Sequence, residues 1–438
     1  MSIPDHESER EQMSTSTANL AAATQESLPA GAAEGQHGLT EHSHGGGAPA
    51  GGHGGSAFNT VASFDVDAHI VPRGREEEWR FTPMARLRGL HEDVPLDGND
   101  YEVSVEADPQ VVVETIEVTD ARAAAVRGSS GYVPVDRPSA RAWADADRTL
   151  AITIPAEVVT ERPTVVRLRG LGAEKAAAGH VVITAERFSQ AVVVLEHEGS
   201  AAFVDNVEVV THDGAKLTVV SLQDWADDSV HLSHHHVSVG RDAVVKHAVV
   251  SFGGDLVRTS VTLDYAAPGG DAELLGLYFA DSGQHLEKRL FVDHNQPNCR
   301  SNVLYKGALQ GAKAHTVWIG NVLIRPEAEG INTYELNRNL VLTDGARADS
   351  VPNLEIETGE IEGAGHASAT GRFDDEQLFY LQARGIPADE ARRLVVRGFF
   401  TELINKIGVP EIAERLTATV ERELAIGENQ PVASSSTH

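Results

Sequence analysis

A Gly/Asp turn, an alanine and then an alternating apolar strand recur through the middle of this chain, and nothing else in the sequence restricts its folding as much. The instances carry Ala215 (in DGAKLTVV), Ala243 (GRDAVVKHAVV), Ala272 (GGDAELLGLYFA), Ala314 (GAKAHTVWIGNVLI) and Ala348 (DGARADSVPNLEI). Alternation of apolar and polar residues puts one face of each strand toward a core. The intervals between these alanines are 28, 29, 42 and 34 residues. A solenoid stacks one such unit per repeat and accepts the longer intervals as loops. A parallel sheet of the doubly wound kind is excluded, because each of its crossovers needs a helix and no long amphipathic helices separate these strands. Periodicity leaves a β-helix as the natural reading and a β-sandwich as its rival.

The flanks differ from this middle. Residues 1–57 are rich in Ala, Gly, Ser, Thr and Glu and hold a Gly/His stretch with His37, His42, His44 and His53. Such a segment buries too little apolar area to offset its ordering entropy, so disorder is expected. Residues 58–165 form a mixed helical and strand region, opening with REEEWRFTPMARLRGL, a run that is helical in composition but broken by Pro83. The repetitive core spans 166–372. From 373 to 427 the chain turns helical: Ala391, Leu394, Val395, Phe399, Leu403 and Ile407 make an apolar stripe, and Gly408 with Pro410 separates a last helix that ends near Gly427. A polar tail, 428–438, follows.

Composition removes several classes of function. A formal net charge of -29 over 438 residues disfavours binding to nucleic acid or an anionic membrane through bulk electrostatics. The single cysteine, Cys299, rules out a disulfide framework and a four-thiolate site within one chain. No run of eighteen apolar residues and no secretory leader is present, which points to a cytoplasmic protein. No GxxxxGK[ST], GxSxG or HExxH motif occurs, so any ATP used must be bound by another subunit.

Chemistry concentrates at the junction between strands and helices, Ser350 to Ala391. Leu354 and Ile356 alternate with Glu355 and Glu357 as on a half-buried strand. After the small-residue run Gly363 to Gly371, Asp374 with Gln377 reads as a helix start, and Gly385 with Pro387 as a stop and restart. This stretch resembles the C-terminal hallmark of the SufB/SufD family of iron-sulfur cluster assembly proteins, through Pro352, Leu354 to Ile356, His366, Ala369, Thr370, Gly371, Phe379 to Leu381 and Arg384 to Ile386. Ala364 stands where the family pattern has a cysteine. Four further pieces resemble the family in the same order: Glu78 to Pro83 (EWRFTP), the Asp293–His294 pair, Tyr305 to Gly307 as a Lys-Gly turn, and Asn337 to Leu340. The resemblance covers roughly residues 58–426. The length, the lack of Cys-rich segments and the EWRFTP motif are more similar to SufD than to SufB.

The resemblance implies a mainly β protein, a right-handed parallel β-helix with N- and C-terminal helical elements, and so decides against the sandwich. It implies a non-catalytic scaffold subunit working with a SufC-like ABC-type ATPase and a SufB-like paralogue. His366 is then the one retained candidate ligand for iron or a nascent cluster, held transiently at the heterodimer interface, with no cofactor bound tightly by this chain alone. Phe379, Tyr380, Leu381, Arg384, Gly385 and Ile386 become the ATPase docking patch, whose aromatic and arginine content suits an interface hot spot.

Other residues have blander readings. His231, His234, His235 and His236 read as a solvated strand face or turn, since alternation sends His235 away from His234 and His236. Cys299 reads as a buried or loop thiol, and Glu355, Glu357, Glu360 and Glu362 as a solvated solenoid exterior. Two competing classes are a polysaccharide-active β-helix enzyme, which needs a paired-carboxylate site not found here, and a metal-binding protein built on the N-terminal histidines and the His231 cluster.

Overall fold

The computed structural model describes residues 61–98, 101–373 and 375–428. The expected disorder of 1–57, the Asp374 helix start and all of the tail beyond 428 lie outside these residues. Strands β1 (Tyr101–Glu106) and β2 (Val112–Glu117) are followed by short helix α1 (Ala123–Val126), helix α2 (Arg137–Asp145) and β3 (Arg148–Ile154). Thirteen strands then run without an intervening helix, from β4 (Thr164–Ala185) and β5 (Gln190–Thr211) to β16 (Ile361–Arg372).

Their order resolves the uneven repeat spacing. With β9 at Leu256–Tyr265 and β11 at His285–His294, the sheet runs β15-β13-β11-β9-β7-β5-β6-β8-β10-β12-β14-β16, all of these pairs parallel. Long β5 joins the two halves: Gln190 to Gly199 pairs with β6 (Lys216–Trp225), and Ala202 to Thr211 with β7 (Val230–Val239). The chain therefore alternates between two faces and winds a parallel β-solenoid of about eight turns. Ala215, Ala243 and Ala272 open β6, β8 (Val244–Ser251) and β10 (Asp271–Ala280), all on one face. Ala314 and Ala348 open β13 (His315–Ile324) and β15 (Arg347–Ile356), on the other. The 42-residue interval is thus a change of face, not an insertion. On the first face Ala272 lies two residues along from the level of Ala215 and Ala243, and its own row continues as Ser301, Thr333 and Ala364, in register on β12 (Arg300–Leu309), β14 (Ile331–Val341) and β16.

Inward side chains form one apolar column, from Val166 and Val193 through Val219, Leu274 and Val303 to Val341. Two jackets cover the outer faces. Trp79, Leu87 and Leu90 from the N-terminal region pack with Ala142 of α2 on Ala202, Val204, Val230 and Leu232. The run around Trp79 is turns with a 3-10 helix at Met84–Arg86, not the α-helix its composition suggests, because Gly74, Arg88 and Gly89 all take positive φ. Trp79 lies under the Arg258 guanidinium, 3.9 Å from its ring, and Thr82 donates to Glu287 at 2.7 Å, so EWRFTP is a structural clamp on the solenoid.

The other jacket is helical. Helix α3 (Asp375–Ala383) leads to α4 (Ala388–Ile407) and α5 (Pro410–Glu428). Val396, Phe400, Leu403 and Ile407 of α4, with Ile412, Leu416, Val420 and Leu424 of α5, pack on Val220, Val250, Leu277 and Leu304 of the even-numbered strands. The stripe is rotated from the expected one: Val396 and Phe400 are buried, whereas Val395 and Phe399 are partly so. Adjacent apolar pairs at 395–396 and 399–400 widen the face, so spacing alone does not choose its centre. Strands under the helices, such as ELLGLYFA in β10, are buried on both sides and read as apolar runs rather than alternation.

Tyr305 to Gly307 is not a turn but the middle of β12. A Cβ on Gly307 would lie 1.9 Å from the Tyr278 ring, and one on Gly276 would lie 2.0 Å from the Tyr305 ring. Each glycine on β10 or β12 clears space for the tyrosine directly across the ladder. Lys306 points outward and donates to the Phe399 carbonyl at 2.9 Å and to Glu402 at 2.8 Å, pinning α4 to the solenoid.

Candidate functional site

His366 belongs to β16, the last strand, and continues a register row of inward positions: Val219, His247, Leu274, Val303, Glu335 and His366. Because no further coil covers β16 among the described residues, the imidazole that would be interior elsewhere is exposed at the open end. Ala364 occupies the preceding inward position and packs against the core. Its methyl group offers no ligand atom, so His366 alone of that pair can donate to a metal.

Directly beneath His366, one strand spacing away (about 4.8 Å between backbones), is Glu335. Its carboxyl is buried, and neither oxygen has a hydrogen-bond partner. It crosses the interior toward β13, where a Cβ on Gly320 would fall 1.6 Å from Oε1. Burial without a compensating charge pushes its pKa up to about 8, so the group is held neutral at neutral pH. Trp318 Nε1 and the Tyr305 hydroxyl in this last part of the column are also buried and unpartnered. Such orphaned groups are uncommon in native interiors.

A closed polar network lies beside them. Asn337 donates to the Tyr278 hydroxyl (2.8 Å), which donates to Asn339 (2.8 Å). Asn339 donates to Asn337 (2.8 Å), Ser350 (2.9 Å) and Thr370 (3.3 Å). The Asn337–Leu340 strand therefore ties β14 to both terminal strands. Of the Asp–His pair, Asp293 makes a bidentate pair with Arg325 (2.7 Å each), while His294 is buried, stacked on Tyr265 and bonded to Ser301 at 2.9 Å. Both are structural.

The docking candidates lie beyond the solenoid. Phe379 and Tyr380 on α3 are 72% and 48% exposed, and the Arg384 guanidinium sits 5.2 Å from the Tyr380 ring centre. Leu381 and Ile386 are half-buried, and Gly385 takes φ 86° where the chain turns into α4. α3 thus presents two aromatic rings and a cation to solvent while α4 and α5 spend their apolar faces on the solenoid.

The histidine run departs from expectation. Alternation holds, but all four side chains are buried rather than solvated. His231 and His235 point into the solenoid. His234 and His236 point out and are covered by Tyr132, with ring centres 5.1 and 5.8 Å away. The jacket that covers them comes from a distant part of the chain, which period-two reasoning does not see. Cys299 is buried in the core, and burial raises its thiol pKa. Glu357, Glu360 and Glu362 are exposed, and Glu362 lies 3.9 Å from Arg300. Sequence reasoning missed Glu335 and also Lys288, a buried amine that donates to Ser251 (2.7 Å) and Thr259 (3.1 Å) and whose pKa burial lowers to about 7. Strand parity marks both as inward, yet only the register across coils reveals what surrounds them. Among the described residues, no helix is long and apolar enough to cross a membrane.

Comparison with known proteins bears on these features. The family model for the SufBD core domain of SUF-system FeS cluster assembly matches residues 168–399. An iron-sulfur cluster assembly SufBD family protein of Mycobacterium tuberculosis (strain H37Rv) is 55% identical over 374 residues, covering 84% of this chain and 93% of that protein. A counterpart in Mycobacterium leprae is 53% identical over 379 residues, 85% of this chain and 95% of its own length. The iron-sulfur cluster assembly protein SufD of Bacillus subtilis is 26% identical over 279 residues, 62% of this chain and 63% of that protein.

Proposed function

The chain belongs to the SufBD family of SUF-system iron-sulfur cluster assembly proteins, and from that premise we propose that it is a SufD-like, non-catalytic scaffold subunit. It pairs through the open end of its solenoid with a SufB-like paralogue and carries a SufC-like ABC-type ATPase on its C-terminal helices. The observation that carries this reading is the pairing of two surfaces: the uncovered β16 with His366, and the solvent-facing Phe379, Tyr380 and Arg384 a few residues later.

The mechanism follows from how these surfaces are joined. α3 follows β16 after a single short connection, while α4 and α5 are fastened to the even-numbered strands by Lys306 and by the apolar packing of Phe400 and Leu416. ATP-driven approach of two ATPase subunits would pull on α3 and be transmitted to the β14–β16 end, moving the interface against its paralogue. His366 would offer an imidazole nitrogen to iron or to a nascent cluster, which is cargo rather than a resident cofactor. Glu335 beneath it would serve as a proton store or oxygen donor, losing its proton when a cation arrives above it. ATP enters only through the partner.

The test is co-purification with the candidate ATPase in the presence of the SufB-like subunit, comparing wild type with Phe379→Ala plus Arg384→Ala. A stoichiometric complex that the folded double variant fails to form is expected. His366→Ala should then keep the complex but lose cluster on reconstitution. Failure of the wild-type chain to capture the ATPase at all sinks the scaffold reading.

A further inference from the structure

Far from His366, at the end of the solenoid closed by β1–β3, three side chains with metal-ligating atoms converge inside the first coils. His197 comes from the first half of β5, Asp205 from its second half, and His231 from β7. We propose that His197, Asp205 and His231 form a buried binding site for a divalent transition-metal ion.

The geometry is close to what such an ion requires. One ligand atom from each residue lies within 4.8 Å of the other two. His231 Nε2 is 3.0 Å from Asp205 Oδ1, and His197 Nε2 is 3.9 Å from Asp205 Oδ2. Side-chain rotations of under about 1 Å would bring all three within the ~2.0–2.2 Å of metal–nitrogen and metal–carboxylate bonds. All three residues are almost fully buried.

The outer contacts are those of a ligand set rather than of a core pair. Gln223 lies behind both imidazoles. Its Oε1 accepts from Trp225 Nε1 at 2.7 Å and lies 2.7 Å from His231 Nδ1. Trp225 Nε1 also lies 3.2 Å from His231 Nδ1, so Gln223 and Trp225 together hold that edge of the imidazole. Nε2, on the opposite edge, faces the Asp205 carboxylate at 3.0 Å, the position in which a metal ion would take the place of the bridging proton. The Gln223 amide nitrogen is 3.2 Å from His197 Nδ1, and the Leu222 carbonyl is 3.4 Å from the same atom.

Access exists. A cavity of about 270 Å³ is walled by Tyr101, Arg148, His180, His197, Phe203 and Asp205, so two of the three ligands, His197 and Asp205, border space for water or an incoming ion. Two imidazoles and one carboxylate favour Zn²⁺, Fe²⁺ or Co²⁺ over Mg²⁺ and Ca²⁺, which take oxygen ligands, and over Cu⁺, which takes thiolates and thioethers. The ion would tie the two halves of β5 to β7 where the solenoid begins, a role separate from cluster building at the other end.

Co²⁺ titration of the chelator-treated full-length chain, followed in the visible region, tests this. The N-terminal histidines His37, His42, His44 and His53 remain in every variant, so any signal from them is common to all and cancels in the comparison. Wild type should bind one equivalent with visible d–d bands that Zn²⁺ displaces, and His197→Gln and Asp205→Asn should each weaken that binding at least tenfold. Absence of the bands in wild type, or bands of equal strength in both variants, overturns the site. Should a variant fail to fold, X-ray absorption on the cobalt-loaded wild type decides: two imidazoles with oxygen ligands supports the site, and an all-oxygen shell removes it.

Discussion

Glu335 is the residue whose environment departs furthest from its chemistry. An acid held to a pKa of about 8 in the folded state, against about 4.5 when unfolded, keeps a proton that the unfolded chain releases. Folding is therefore favoured below pH ~4.5, and that advantage is lost as pH climbs toward 8. Glu335→Gln removes the liability. Thermal melts should match wild type near pH 4.5 and exceed it by about 4 kcal/mol near pH 8. Parallel pH profiles would mean that the carboxyl finds a partner. Lys288 shifts in both proteins alike and drops out of the difference. His366 is readable from its motif, since its neighbours in sequence identify it. Glu335 is not: its isolation arises from Gly320 on the opposite face and Val303 a coil away, positions that no local window connects.

Elements divide between those that hold the fold and those that leave a surface. α4 belongs to the first class. Phe400 is wholly buried between the helix and the even-numbered strands, and Phe400→Ala should cost about 3–5 kcal/mol in denaturant unfolding. The neighbouring Phe379→Ala, on exposed α3, should change stability by less than about 0.5 kcal/mol while weakening ATPase capture. Equal destabilisation by both would assign α3 to the core. Strand identity was legible here because alternation and the turn-alanine signal are local. The uneven intervals were not, because two faces share one signal and the chain skips instances: Ser301 and Thr333 fill the alanine position with small polar residues. His234 and His236 were misread for a related reason, their cover being Tyr132, about a hundred residues upstream.

At the scale of the whole molecule, an apolar column is closed at one end by β1–β3 and left open at the other, with helices and an N-terminal jacket along its sides. That plan is built from described residues between 61 and 428, and the scaffold reading assigns no role to residues 1–57. Deleting them should leave complex formation with the ATPase and the paralogue within about twofold of wild type by quantitative pull-down, since rim and tail contacts contribute little beside a buried anchor. A severalfold loss would move the function toward the N-terminal histidines. The reciprocal glycines and tyrosines of β10 and β12 have a consequence at this scale as well. Written as a string, the two strands carry complementary symbols at Gly276–Tyr305 and Tyr278–Gly307. A slip of two residues, the smallest that preserves inside and outside, would set one tyrosine on another in one direction and one glycine on another in the other direction. The pair behaves as a parity check. An error of winding in the middle of the solenoid is detected locally, before the polar network and the exposed histidine several strands further on are assembled in the wrong place.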